Sequence, residues 1–324
     1  MRVDRDLLGW GVFFAVAGGL ALAIGEGVVA DRAWWSFWPL ILVGIGVGLI
    51  VRRTALEPLG GLLVAATFGV MVGGSLAGGV GGLGAMPSGA CGPGDGGVPF
   101  EPRRGSLGVA ASVAVELDCG DLAVSIVPGS DWTIEGTDGD GRGPRVDIDG
   151  DALDIRPAGD GPTFLGGERD TWRVALPSST VMDLGINVSA GTLRVDLGDA
   201  QLSTLAVDLN AGRAVIDLRG MAAIDGLEIG VNAGDLAITL PSLPLTGSIE
   251  ANAGSVRLCA PTDVALRLRT GDSVLAGHDF AAAGLVQVGD AWETPGYDTA
   301  ATRIDLRTEA NAGSFRLDPA EGCA

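Results

Sequence analysis

Two hydrophobic patterns divide the chain. Before residue 84 the apolar residues come in long, almost unbroken runs: Leu7 to Val29, Trp38 to Val51 and Leu59 to Leu83. A helix needs about 20 residues to cross roughly 30 Å of hydrocarbon. The first and third runs have that length, and the second reaches it once Trp34 and Trp35 are placed at the interface, where aromatic rings settle. Ser36 and Pro39 stand where a helix start takes a cap and a first-turn proline. The pattern predicts three transmembrane helices, about 7–29, 34–51 and 59–83, within residues 1–84. The first run is long, carries Glu26 near its end and is followed by two more, so it is not a cleavable signal peptide. Residues 85–108, rich in glycine and proline, have no apolar period and read as a flexible linker.

Beyond the linker the period becomes two. Leu193, Val195 and Leu197 alternate with Arg194 and Asp196, and Leu205, Val207 and Leu209 alternate with Ala206 and Asp208. Alternation of this kind marks strands with one buried and one wet face. The strands are punctuated by one recurring phrase: Asn187-Val-Ser-Ala-Gly191, Asn210-Ala-Gly212, Asn232-Ala-Gly234, Asn252-Ala-Gly254 and Asn311-Ala-Gly313, with a degenerate copy ending at Gly271. A fixed short period signals a solenoid. The expected fold is membrane-anchored all-β: three N-terminal transmembrane helices, then a single-stranded β-helix (a β-solenoid of ~21-residue coils) over residues 109–320, and a short tail at 321–324. Each coil is expected to hold two strands. Eight or nine coils at about 4.8 Å each would make a stack about 40 Å long.

In this reading the asparagines and glycines are structural corners. Glycine supplies positive φ at a sharp bend, and asparagine bonds nearby backbone. Asparagines stacked at one corner would hydrogen-bond up the column, as in cross-β assemblies. A ligand-binding row of asparagines is the alternative.

Charge changes the picture in one respect. The net charge is −19, and residues 1–84 balance five arginines against five acids, so the excess lies beyond them. An acidic domain argues against nucleic acid and anionic lipid as its ligands. The arginines near the spans favour a cytoplasmic N-terminus and an extracytoplasmic C-terminal domain at the bacterial plasma membrane: Arg2 and Arg5 precede the first span, and Arg52 and Arg53 separate the second from the third. Glycines four apart, such as Gly44/Gly48 and Gly69/Gly73, let helices pack closely in lipid and allow self-association.

Candidate chemistry is sparse. The single histidine, His278, has no nucleophile partner in sequence, and no phosphate loop, nucleophile elbow or metal-ligand spacing occurs. Asp138 to Asp151 is acid-rich but lacks the EF-hand order, so it is expected to be a polar hairpin. No catalytic, cofactor-binding or metal-binding residue is assigned, and no cofactor. The four cysteines, Cys91, Cys119, Cys259 and Cys323, all follow the last span, which suits an oxidising compartment. Three pairings are open; closeness in sequence favours Cys91–Cys119 and Cys259–Cys323.

Two stretches carry a family resemblance. Trp34-Trp35-Ser36-Phe37-Trp38-Pro39-Leu40 through Gly48-Leu49-Ile50-Val51-Arg52-Arg53 resembles the transmembrane region of LiaF-like bacterial proteins. The repeats, with Val288-Gly-Asp-Ala-Trp-Glu-Thr-Pro-Gly-Tyr297 and Glu309-Ala-Asn-Ala-Gly-Ser314, resemble the bacterial putative-adhesin β-solenoid family. The first resemblance implies a role in the cell-envelope stress response, alongside a histidine kinase system, with the lipid bilayer and a membrane or envelope protein as partners. The second implies surface binding and no catalytic residues. The expected function is a non-enzymatic, membrane-anchored interaction protein, an envelope-stress regulator or accessory sensor. An adhesin or wall-binding module is the first alternative, and a polysaccharide-acting enzyme, which would need a clustered acid pair, is the remote one.

Overall fold

The chain divides into two compact units, Met1–Gly84 and Ala85–Ala324. The computed structural model describes residues 97–158, 169–271 and 275–323. The three apolar runs, the LiaF-like stretch and residues 85–96 of the linker lie outside these residues. The other half of the expected linker, 97–108, is not structureless but carries strands at Val98–Pro99 and Arg103–Ser106, which pair with Asp131–Asp138. No described helix is long and apolar enough to cross a membrane.

The described residues are almost entirely β. In chain order the strands are β1 (Val98–Pro99), β2 (Arg103–Ser106), β3 (Ala110–Val127), β4 (Asp131–Asp138), β5 (Arg145–Asp149), β6 (Ala152–Arg156), β7 (Asp170–Pro177) and β8 (Val181–Asp196). They continue as β9 (Gln201–Asp217), β10 (Ala223–Thr239), β11 (Leu245–Ala260), β12 (Ala265–Thr270), β13 (Leu275–His278), β14 (Val286–Val288), β15 (Ala291–Glu293) and β16 (Arg303–Pro319). Six of these, β3, β8, β9, β10, β11 and β16, are long and stack side by side in parallel register.

Each long strand is one coil, bent once at a glycine. Gly120, Gly191, Gly212, Gly234, Gly254 and Gly313 occupy one register position through the stack. The two strands expected per coil are therefore two limbs of a single strand. The backbone hydrogen-bond ladder runs through the bend, because every coil turns at the same position and in the same sense. The limbs bury columns of like aliphatic side chains. One column is Val113, Leu184, Leu205 and Leu227, interrupted at Gly247 and resumed at Leu306; another is Val124, Val195, Ile216, Ile238 and Leu258. Stacking of this kind gives each coil its core only from its neighbours.

The ends are built differently. The coil order is not the sequence order. After β3 the chain lays β6 and β7 on the outer side of β3, then returns to place β8 on its inner side. After β11 it skips a level: β12 and β13 lie on the outer side of β16, which comes back to fill the gap beside β11. Among the described residues the stack thus has eight levels, the outer two split. Antiparallel strands finish each end, β4, β2 and β1 beyond β7, and β15 and β14 beyond β12. Short antiparallel strands blunt an edge that would otherwise template further pairing. Large rings plug the interior there: Trp132 and Trp172 at one end, Phe280 and Phe315 at the other, all buried.

Candidate interaction surface

The bend creates the most regular surface on the molecule. At Gly234 the backbone has φ +146, and a Cβ there would lie 1.9 Å from the carbonyl oxygen of Gly212. Glycine is required twice over, by conformation and by the approach of the preceding coil. Two residues before it, the asparagines project outward into a ladder. Asn232 donates from Nδ2 to Oδ1 of Asn210, Asn252 to Asn232, and Asn311 to Asn252, each at 2.6 Å. All four are exposed.

Beside the ladder, on the first limb, Glu116, Asn187, Asp208, Gly230, Glu250 and Glu309 share one register position. The carboxylate of Asp208 leans over Gly230, where a Cβ would sit 2.6 Å from its Oδ1. Glu228 adds a further exposed acid one column away. Among the described ion pairs none involves Glu116, Asp208, Glu228 or Glu250, and only Glu309 is neutralised, by Arg307. The second limb behaves oppositely. Arg213 pairs with Asp235 at 3.3 Å and Arg257 with Asp318 at 3.4 Å. Arg219 grips Asp217 and, through that hydrogen bond, lowers its carboxyl pKa below the ordinary value. The second limb thus pairs most of its charges, Arg194 and Asp196 excepted, and the first presents a rail of Asp208, Glu228 and Glu250 without ion pairs, and Glu116 within reach of the Arg156 charge, along a column of amides.

Two residues read as corners lie elsewhere. Asn187 is in register with Glu116 and Asp208, not with the asparagine ladder, because its phrase has two extra residues before the glycine; Ser189 precedes Gly191 by the two residues that separate Asn210 from Gly212. Gly271 follows β12 without a positive φ, and Ala276 is the residue opposite Gly313. The skipped level explains this: β12 and β13 are joined by a connection rather than a continuous bend.

The remaining candidates fall into structural roles. Asp138 is buried and accepts hydrogen bonds from the amides of Gly141, at 2.5 Å, and Gly143, at 2.6 Å. The acids that follow form the β5–β6 hairpin, where Asp147 pairs with Arg156 at 2.7 Å. His278 stacks on Phe280 and meets Trp292 edge-on, at centroid distances of 4.6 and 5.1 Å. Cys259 and Cys323 form a disulfide that ties the last turn of the chain to β11. Cys119 is also disulfide-bonded, and Cys91 lies outside the described residues. No group of three metal-ligating side chains occurs among the described residues.

The sequence reading missed a charged cluster at the C-terminal end. Arg267 lies over the Tyr297 ring, 4.1 Å from its centroid, and donates to Glu293 at 2.6 Å and Asp298 at 3.2 Å. Arg269 bonds Asp305 at 2.7 Å. Burial pushes the Tyr297 phenol above its ordinary pKa, and the charge of Asp305 adds to the shift. The cluster fastens the 294–302 loop to β12 and β16. Only the family resemblance of the Val288–Tyr297 stretch marked the segment in sequence; its partner Arg267 lies about 30 residues away along the chain, beyond any local pattern.

Comparison with curated proteins finds no match. Among solved structures, the chain is similar to a "putative cell adhesion protein" from Clostridium sporogenes, at 12% identity and a TM-score of 0.47, over 68% of this chain and 99% of that one. It is also similar to a "putative adhesin" from Bacteroides fragilis, at 11% identity and a TM-score of 0.26, over 67% of this chain and 96% of that one. Residues 109–239 match the family model of the N-terminal domain of toast_rack, DUF2154, a stretch that begins just before β3 and ends with β10.

Proposed function

We propose that this protein is a non-enzymatic interaction protein of the bacterial envelope, held at the plasma membrane by the three N-terminal spans, with its β-solenoid outside. Its role would be that of an envelope-stress regulator or accessory sensor that contacts a membrane or envelope protein. The observation that carries the reading is the asymmetry of the two limb faces. The second limb pairs most of its charges internally, Arg194 and Asp196 excepted. The first limb leaves Glu116, Asp208, Glu228 and Glu250 exposed and without ion-pair partners, beside a rigid column of asparagines. Uncompensated like charge on a rigid frame raises the rate of encounter with a basic partner and excludes acidic ones.

An adhesin-like or wall-binding role is the second reading. It is favoured by the repetition of one residue type on successive coils, which suits a polymer. Against it, each ladder asparagine spends its oxygen or one amide hydrogen on a neighbour, leaving less for a ligand.

Photo-crosslinking in cells separates these readings. A crosslinkable residue at Asp208 or Glu250 is expected to capture a discrete protein, and one at Val215, on the second limb, to capture none. Capture of wall polymer from the first limb would select the adhesin-like reading. Equal capture from both limbs would remove the assignment of the first-limb face.

A further inference from the structure

A cleft of about 440 Å³ opens where the first limbs of β10, β11 and β16 begin, under the 294–302 loop. Its base is apolar, from Ile224, Leu245 and Pro244. Its walls carry opposite charges. Asp225 stands on the β10 side, Arg303 and Asp305 on the β16 side, and Thr246 of β11 lies between, in register with Asp305. Asp225 and Arg303 are exposed and in no described ion pair, whereas Asp305 is held by Arg269 at 2.7 Å. Elsewhere at this end of the stack the arginines are paired: Arg267 with Glu293 and Asp298, Arg269 with Asp305, Arg307 with Glu309. Arg303, whose guanidinium carbon also lies 6.0 Å from the Tyr297 ring centroid, and Asp225 are thus a cation and an anion without ion-pair partners facing one cavity.

The volume falls within the range of small-molecule sites. Two strand spacings separate β10 from β16, so the backbones bearing the charges are about 10 Å apart, and the long arginine side chain shortens the gap. A ligand that satisfies both needs a cation and an anion several ångströms apart. A single amino acid holds its charges too close together, and a dipeptide with free ends holds them at a suitable separation. The alternative small ligand for a polar cleft is a neutral sugar, which commonly stacks on an aromatic ring. The only tyrosine, Tyr297, lines the cleft but is buried, with Arg267 over its ring at 4.1 Å and Arg303 at 6.0 Å, which leaves little ring face for a sugar.

We propose that this cleft binds a small zwitterion of dipeptide size, with its ammonium group at Asp225 and its carboxylate at Arg303. The Thr246 hydroxyl, which donates to the Asp225 carbonyl at 3.4 Å, keeps lone pairs free to accept from the same ammonium. This site is separate from the first-limb rail, and its occupancy does not depend on what that rail contacts.

The test uses the full chain in detergent micelles, with dialanine as the probe, followed by saturation-transfer NMR and calorimetry. Uncharged N-acetyl-dialanine amide and glucose serve as comparisons. Dialanine is expected to bind saturably, and the analogue blocked at both ends about a hundredfold more weakly, since each of the two lost charge-assisted hydrogen bonds is worth about tenfold. Asp225→Asn and Arg303→Gln, on different strands, are each expected to weaken dialanine about tenfold, the scale of one lost charge-assisted hydrogen bond, with the melting temperature unchanged. Absence of saturable dialanine binding, equal binding of the blocked analogue or of glucose, or folded variants that bind as the parent does would each overturn the proposal.

Discussion

The carbonyl oxygen of Gly212 occupies the place where a side chain at Gly234 would begin, 1.9 Å from its Cβ position. The same relation links Gly254 to Gly234 and Gly212 to Gly191, so each coil forbids a side chain in the next. Gly234→Val combines a strained φ with a backbone clash and should destabilise the domain by about 3 kcal/mol or more. Gly277→Ala, where a Cβ meets nothing within 4 Å, should leave the melting temperature nearly unchanged. Equal melting of the two variants would refute the corner geometry.

The asparagine ladder is exposed, which limits its worth. Asn232 is both donor and acceptor within it, so Asn232→Ala removes two hydrogen bonds, each contributing about 1 kcal/mol net. Chemical denaturation should show a loss of about 1–2 kcal/mol. Asn187→Ala, outside the ladder, should cost far less. A loss at Asn187 as large as that at Asn232 would mean that the ladder is not what stabilises the corner.

The disulfide between Cys259 and Cys323 closes a loop of 64 residues. Constraint of the unfolded chain by a loop of that length contributes roughly 4 kcal/mol in the chain-entropy model. Cys323→Ser should lower the denaturation midpoint accordingly, and a reducing agent should shift the parent toward the variant while leaving the variant itself less affected. A parent insensitive to reduction, with the bond shown by mass analysis to be broken, would contradict this.

Tyr297 is the only tyrosine in the chain, so phenolate absorbance reports this one site. Its pKa is raised in the folded protein above the ordinary 10.0, chiefly by burial. The folded state therefore holds the phenol proton more tightly than the unfolded state does. The stability this contributes is complete below about pH 10, the ordinary tyrosine pKa, and is lost as pH rises through the raised value. Phenolate should appear only above the ordinary value and shift back to it in denaturant. Titration of the native protein at or below the ordinary value would show that the ring is not buried against Arg267.

Much of this architecture was legible because a solenoid repeats its constraints. Leu193, Val195 and Leu197 announced a limb, and the spacing from Gly191 to Gly212, Gly234 and Gly254 announced the coil. What the sequence hid was order. Read in line, Gly271 precedes Asn311 and becomes the next corner, whereas β16 inserts between β11 and β12 and places Ala276 opposite Gly313. Spacing along the chain carries no information about which level a strand occupies once an excursion intervenes. Asn187 misled for the opposite reason: its phrase matched in composition while its offset from Gly191 put it in the acidic column. The Arg267–Tyr297 stack and the cleft below the 294–302 loop depend on tertiary neighbours, and no local periodicity foretells them.

The central claim is that the solenoid is presented outside the membrane by the N-terminal spans. Fusions after Ala324 test it most directly, one to alkaline phosphatase and one to a fluorescent protein that matures only in the cytoplasm. The account predicts phosphatase activity without fluorescence. Fluorescence without phosphatase activity would place the solenoid in the cytoplasm and contradict the proposal that its acidic face meets an envelope partner.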